Sequence, residues 1–502
     1  MDVQTSVMGI DTLVGAAVSQ TLIDSDIPLP EGRVAARVLC AGTQLGACEA
    51  QAQQDAVRAS GSLTLLLLCE SPSGEAFGFS AATTYVHSVE LPGAAEGMAA
   101  SAQAQVLECT CTAEAGRLHL SAILELSAQA CAPESEPFVT GVSGVDALEV
   151  RETPVSSARA VPLGAASVRV REEAAAPAAQ RVLLCHGAAQ VREVIVEGGA
   201  ATVEGSLYAT LLTASEEGEL TQLIQIIPFT AVLDIPAGAA GAWAEAAVEQ
   251  ISAVAADMSF GVVDVEALVR VQVYDLARGE GRALLDAYDA RGGIVCEQRT
   301  VEQLLCGGAE HKRFVFREGV QIPAELPEAC RVIYAAATPA VTGMSAREGR
   351  LCVDAMVFVH ALYQCDGGQL HAFPYDLPLQ LELDAAYTPQ ARVTLQTLSA
   401  QLTGGGRTPE LMLTLEARAT LYERRPLTAA VRVEPAGTPR APVGIVIYCA
   451  GAGETLWEVG KRFSVPLMRL REWNAALGDG AGADTVLEEG MRLVPVSYTH
   501  LR

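Results

Sequence analysis

The sequence predicts a mainly β protein with three antiparallel, sandwich-like repeat domains followed by a small β-α-α-β domain. Three observations lead to this prediction. Apolar and polar residues alternate in long runs, as in 411–421, where Thr414, Glu416, Arg418 and Thr420 share the polar face. Segments with the same order of features recur along the first 425 residues. From residue 444 the pattern changes to two helical stretches between short strands.

The repeat is marked by a short arginine-led strand at Arg37, Arg181 and Arg331, which lie 144 and 150 residues apart. A long apolar strand begins 24 residues after each arginine. Each copy closes on an alternating run, at 118–126, 262–273 and 411–421. A repeat of this length indicates whole domains and not a solenoid. The predicted domains are 12–131, 148–276 and 283–426, with weak helical patterns at 246–256 and 295–307 as exceptions.

The C-terminal segment has consistent local signals for a β-α-α-β unit. Ile445, Ile447 and Cys449 alternate as in a strand. Thr455 and Glu458 have the spacing of a capping box, and Pro466 suits the first turn of a second helix. We expect Asn474 to end that helix in the left-handed conformation. The predicted core of this unit consists of Leu456, Phe463, Leu470 and Leu493.

Composition limits the classes of partner. The chain has 502 residues, a formal net charge of -26 and a pI near 4.7. Such a charge disfavours a nucleic-acid groove and charge-driven docking on anionic lipid. The N-terminus has no basic region and no apolar run is long enough for a transmembrane helix, so we expect a cytoplasmic protein. The thirteen cysteines lie mostly in apolar runs, which suits reduced, buried thiols.

The C-terminal motifs resemble the LysM family. The family pattern is a strand, Gly-Asp-Thr-Leu-Trp, an Ile-Ala-Lys-Arg-like helix, an asparagine and a closing Pro-Gly-x-x-Leu-x-Ile-Pro. It is similar here to Gly453 to Trp457, Val459 to Phe463, Asn474 and Gly490 to Pro495. Glu454, Gly460 and Glu489 depart from the usual Asp, Ala and Pro. The resemblance implies a LysM domain at 444–496, preceded by an extended linker at 427–443.

Three β domains before a LysM resemble the SPOCS-plus-LysM architecture of SipL-like and SpoVID-like spore-envelope proteins of spore-forming Firmicutes, including Clostridia. This resemblance implies a non-enzymatic scaffold in the mother-cell cytosol at the forespore surface. Its LysM domain would bind the coat ATPase SpoIVA, and its SPOCS units would contact other coat proteins or one another. The tail 497–502 resembles translated adapter sequence, and we assign it no function.

The site residues implied by the resemblance lie in two loops and on the first helix of the LysM-like unit. Either ligand contact or turn geometry could explain the loop residues, and Trp457 could belong to the core or to a contact surface. The expected binding residues are Gly453, Glu454, Thr455, Trp457, Arg462, Asn474, Ala475 and Leu477. Lys461, Arg462, Arg469 and Arg471 form the densest cationic cluster of the unit, which could pair with an acidic partner or balance local glutamates.

Two alternatives differ in class. A LysM-like unit could instead bind N-acetylglucosamine in peptidoglycan, which would make this a cell-wall protein with an unseen export route. An enzyme is disfavoured, because no set of acid, base, nucleophile or metal ligands stands out and no cofactor is expected. Cys109 and Cys111, and the set Cys352, His360, Cys365 and His371, are interpreted as structural and not as metal ligands.

Overall fold

The fold is mainly β, as the sequence predicts. The computed structural model describes residues 1–114, 117–135, 137–176, 179–239, 241–257, 261–290, 293–436, 446–478 and 480–496. These residues form 23 strands and two α-helices. All of the pairings between these strands are antiparallel. Some join strands adjacent in sequence, such as β11 with β12, and others join the first strand of a sheet pair to its last, such as β2 with β8, β10 with β15 and β16 with β21.

The first sheet pair contains the strands from β2 to β8. One sheet has the order β2-β8-β7, and in the other β5 pairs with β3, β4 and β6. Alternate residues of β5 and β8, such as Leu65 and Leu124, are fully buried between the two sheets. The first nine strands are β1 (Asp2–Ser6), β2 (Asp11–Ile27), β3 (Arg37–Leu45), β4 (Glu49–Gln53), β5 (Ala56–Glu70), β6 (Ala76–Glu90), β7 (Ala99–Glu114), β8 (Arg117–Pro133) and β9 (Phe138–Ser143).

The second sheet pair has the orders β10-β15-β14 and β11-β12-β13. Its core lies between β12 and β15, where Val203 and Val269 are fully buried. Its strands are β10 (Leu148–Ala175), β11 (Arg181–Glu197), β12 (Ala200–Ala214), β13 (Leu220–Asp234), β14 (Trp243–Asp257) and β15 (Val262–Asp289).

The third sheet pair has the orders β16-β21-β20 and β17-β18-β19. A single residue pair, Gln303 with Thr12, joins β16 to β2 of the first pair. The strands are β16 (Ile294–Gly319), β17 (Arg331–Arg347), β18 (Arg350–Gln364), β19 (Leu370–Ala386), β20 (Arg392–Thr403) and β21 (Glu410–Pro435).

The two weak helical patterns, at 246–256 and 295–307, are wrong, because both segments are strands. The first contains a β-bulge between Val248 and Gln250, and the second contains bulges at Glu297/Gln298 and Cys306/Gly308. An extra residue shifts the apolar positions out of the period of two. The interrupted alternation therefore imitates a helical spacing.

A core shared by all three sheet pairs lies where β3, β11 and β17 begin. We call it the shared core. Its buried members lie on two strands of each pair, which are β3 and β5, β11 and β12, and β17 and β18, and at the first residue of β13. They are Leu39, Cys40, Leu66 and Leu68 of the first pair, Leu183, Leu184, Leu212, Ala214 and Leu220 of the second, and Ile333, Tyr334, Ala336 and Leu362 of the third.

The three arginines that mark the repeat surround this shared core, each reaching the next sheet pair. Arg181 pairs with Glu75 at 2.6 Å, and Arg331 pairs with Glu219 at 2.9 Å. Arg37 instead donates to the carbonyl oxygen of Leu370 at 2.8 Å. These arginines are more than one-third exposed, so water screens each pair and it contributes little to the stability of the junction.

One histidine makes the junction sensitive to acid. A ring nitrogen of His186 lies 3.1 Å from the hydroxyl oxygen of Tyr334, across two sheet pairs. Burial lowers the pKa of His186 to about 4. Between about pH 6.5 and pH 4 the unfolded chain gains a proton that the folded chain does not, so stability is lost as the pH falls through this window.

We therefore expect His186→Gln to flatten the dependence of the melting temperature on pH between about 6.5 and 4. Thermal melts of this variant at half-unit pH intervals measure the effect. The control is His119→Gln, because the side chain of His119 is half-exposed. Equal slopes for the two variants would contradict the assignment.

Below the sheet pairs the longest strands continue into a second layer, which we call the basal module. It consists of β1 and β9, the first halves of β10 and β16, and the last halves of β15 and β21. Ile10, Phe138, Ala283 and Leu427 are among its buried side chains. Bulges at Leu13/Gly15, Pro162/Gly164 and Cys306/Gly308 lie where β2, β10 and β16 enter their sheet pairs, and bulges bend strands.

The structure differs here from the predicted linker 427–443. Residues 427–435 complete β21, because Leu427, Ala429, Ala430 and Val433 are buried in the basal module. The predicted domain ends at 276 and 426 fall inside continuous strands, and the domain bounds stay a prediction. Residues 437–445, which include the rest of the linker, and the tail 497–502 lie outside the described residues.

Candidate binding site on the C-terminal head

Residues 446–496, which we call the head, have the order strand, two helices, strand. The elements are β22 (Val446–Cys449), α1 (Leu456–Phe463), α2 (Leu467–Trp473), a short 3-10 turn (Ala475–Leu477) and β23 (Arg492–Val496). The predicted core residues Leu456, Leu470 and Leu493 are fully buried and Phe463 is partly buried, which confirms that prediction. The predicted capping box of Thr455 and Glu458 is present.

Asn474 has a structural role in the head. It ends α2 as predicted, but its φ of -128° is not left-handed, so that part of the prediction is wrong. Its buried amide donates to the carbonyl oxygens of Leu470 and Val494, and its Oδ1 accepts from the N–H of Val494 at 2.7 Å. These bonds hold α2 against β23. Ala475, next to it, is exposed and Leu477 is half-buried.

Glu454 and Arg462 form a charged cluster with Tyr448. The Glu454 carboxylate accepts hydrogen bonds from the Tyr448 hydroxyl at 2.8 Å and the Gly451 N–H at 3.0 Å, and it pairs with Arg462 at 2.9 Å. The hydrogen bond to this carboxylate raises the pKa of Tyr448. The Arg462 guanidinium lies over the Tyr448 ring and is half-exposed. Glu454 therefore orients an arginine that remains open to a ligand.

Trp457 lies on a different face of α1 and is docked on the basal module. Its side chain is 2% exposed, yet it is absent from the head's own core cluster. Its Nε1 donates to Oδ2 of Asp286 at 2.8 Å, and its ring meets that of Tyr288 edge-on at 4.9 Å. Lys461, one helical turn further along, pairs with the same carboxylate at 2.6 Å. Trp457 is therefore part of a contact surface within the chain and not of the head's own core, and its partner Asp286 lies 171 positions away in sequence.

Further contacts complete this docking. The Tyr288 hydroxyl donates to the carbonyl oxygen of Val465 at 2.8 Å, and burial raises the pKa of Tyr288. The Leu467 N–H donates to Glu149 at 3.2 Å, and Arg151 pairs with Asp484. The head is thus held by residues that lie opposite each other in the antiparallel pair of β10 and β15, where Glu149 faces Tyr288 and Arg151 faces Asp286.

Gly460 makes room for this contact. A Cβ at position 460 would lie 2.5 Å from the Tyr288 hydroxyl and 3.0 Å from Cδ2 of Leu467. We expect Gly460→Ala to favour α1 by up to about 1 kcal/mol through helix propensity while forcing the head away from the basal module. Acrylamide quenching of Trp457 should therefore increase, measured with Trp243 and Trp473 replaced by Phe. Unchanged quenching would show that the contact tolerates a methyl group.

The structure places the expected binding residues in three groups. Glu454, Thr455 and Arg462 surround the start of α1, with Gly453 in the turn before them at a φ of 75°. Trp457 faces the basal module, and Asn474 with its neighbours lies at the end of α2. Sequence reasoning missed Asp286, Tyr288 and Glu149. The signal for Asp286 was an acid inside an apolar strand, Leu284-Leu-Asp-Ala-Tyr288, since buried carboxylates are normally paired.

The cysteines form no site in the part of the chain that the structure describes. All thirteen are free, and burial raises the pKa of Cys40 and of Cys109 to about 12, so both are protonated thiols at neutral pH. No group of three or more metal-ligating side chains occurs among these residues. None of the described helices has the length and apolar character needed to cross a membrane.

No family model matches this sequence, and no curated protein matches it.

Proposed function

We propose that this chain is a non-enzymatic scaffold of spore-envelope assembly, in which three SPOCS-like domains carry a LysM domain that binds a SpoIVA-like coat ATPase. The three sheet pairs support this proposal, because each consists of two facing antiparallel sheets and contributes equivalent positions to the shared core. We further propose that it acts in the mother-cell cytosol at the forespore surface. Such a frame would present the head at a fixed position, as a scaffold requires.

The observation that carries the proposal is a group of exposed basic side chains on the head's helices, Arg462, Arg469 and Arg471, in a protein of net charge -26. Arg462 and Arg469 are half-exposed although each also pairs with a glutamate of the head, whereas Lys461 is held by Asp286 of the basal module. Three large apolar side chains of the head are also more than half exposed: Ile447 at 67%, Met468 at 57% and Val486 at 63%. Cationic and apolar groups together fit an acidic protein surface with apolar contacts.

Binding of the full chain to purified SpoIVA from the same genome tests this function. Arg462→Ala should weaken binding about fivefold, the equivalent of about 1 kcal/mol, and wild-type affinity should fall as salt increases. Arg425→Ala is the matched control, because Arg425 is also half-exposed and pairs with an acid two residues away. Insoluble peptidoglycan is offered in parallel. Binding to peptidoglycan without binding to SpoIVA would replace this proposal with the cell-wall alternative.

A further inference from the structure

The face of α1 that docks on the basal module has the features of a peptide-binding surface. Without the basal module, Trp457 and the main-chain carbonyl of Val465 would lack their partners, since the head's own core excludes Trp457. A large aromatic side chain beside a cation is typical of binding hot spots and unusual on a free surface. The head is therefore shaped to hold something at this position.

Two bound groups define what this face recognises. A carboxylate accepts from both Trp457 Nε1 and Lys461 Nζ, and a phenol hydroxyl donates to the Val465 carbonyl. In a strand, residues two apart point to the same side, as Asp286 and Tyr288 do with the small Ala287 between them. Gly460 leaves space that the phenol occupies. An acid and a tyrosine at positions i and i+2 of an extended segment match all four features.

We propose that this face of the head recognises extended segments of the form acid-x-tyrosine, and that the chain's own Asp286–Tyr288 occupies it in the closed state. A partner that carries such a segment then competes with the basal module and releases the head. This inference rests on the proposed function only in taking the partner to be a protein. It names the chemistry of one binding surface of that protein.

A labelled peptide with the sequence of residues 281–290 is the probe, and fluorescence anisotropy with the full chain is the measurement. In the chain carrying Asp286→Asn and Tyr288→Phe the intramolecular segment loses the carboxylate and the hydroxyl that bind this face. We expect this opened chain to bind the peptide at least about tenfold more tightly than wild type. A peptide with the same two substitutions is the matched control and should bind the opened chain at least about tenfold more weakly than the native peptide.

A second variant tests whether the gain in affinity could come from misfolding of the basal module. Glu149→Gln with Arg151→Ala removes the flanking contacts and keeps Asp286 and Tyr288, so its affinity for the peptide should lie between those of the other two chains. The inference is overturned if neither opened chain gains affinity, or if native and substituted peptides bind equally. Loss of SpoIVA binding with peptide binding intact would instead count against the proposed function alone.

Discussion

Replacing Leu212 with alanine is expected to lower the free energy of unfolding by about 2–5 kcal/mol and to loosen all three sheet pairs. Leu212 is fully buried in the shared core, together with side chains from the first and third pairs. The cavity left by the substitution would open between strands of different sheet pairs. Since the surface ion pairs around this core are weak, the apolar contact provides most of the cohesion of the junction.

Leu211 is the matched control for this prediction. It is also fully buried, but it points to the opposite face of β12, into the core of the second pair alone. Leu211→Ala should cost a similar free energy of unfolding. Its effect on exchange should remain within the second pair, because the core that contains Leu211 is built from strands β10 to β15.

Amide hydrogen exchange with peptide resolution distinguishes the two variants. Leu212→Ala should increase exchange in β3, β5 and β17, which belong to the other pairs, as well as in β11 and β12. Leu211→Ala should leave β3, β5 and β17 protected. If both variants changed the same peptides, the three pairs would not depend on the shared core for their association.

The sequence was a good guide wherever one sheet face alone determined the pattern. Leu413 and Leu415 alternate with Thr414 and Glu416, and the structure buries both leucines in the core of the third pair. The class of fold follows from such runs, because a strand with one apolar face has to be covered by a second layer. The same reasoning gave wrong helical predictions near Val248 and Cys306, because one inserted residue at a bulge interrupts the alternation of apolar and polar residues.

Contacts between distant parts of the chain could not be predicted from local sequence patterns. Glu416 belongs to the face of β21 that alternation predicts to be polar, yet it is completely buried. Trp457 of α1 is buried for a related reason, since Asp286 of β15 covers it. In both cases a distant part of the chain covers the residue, and nothing within ten residues of either position indicates that contact.

Removing the partner of Glu416 should produce the second large effect. Its Oε2 accepts from Arg418 Nε at 2.7 Å and from the Gln396 amide at 2.9 Å. The Arg418 guanidinium also donates to the carbonyl oxygens of Ala189 and Ala246, in the second sheet pair. Arg418→Ala would leave a buried carboxylate without its countercharge, and we expect a loss of about 3–5 kcal/mol in the free energy of unfolding.

Denaturant titrations of three further variants separate charge from packing. Arg424 lies on the same strand as Arg418 and forms a half-exposed pair with Glu302 of β16. Arg424→Ala breaks this pair and should cost less than about 1 kcal/mol. Glu416→Leu with Arg418→Met removes both charges while keeping their volume, and should recover most of the stability lost by Arg418→Ala. Arg418→Met alone should remain as unstable as Arg418→Ala. If Arg418→Met were as stable as the double variant, the loss in Arg418→Ala would come from packing and not from the unpaired carboxylate of Glu416.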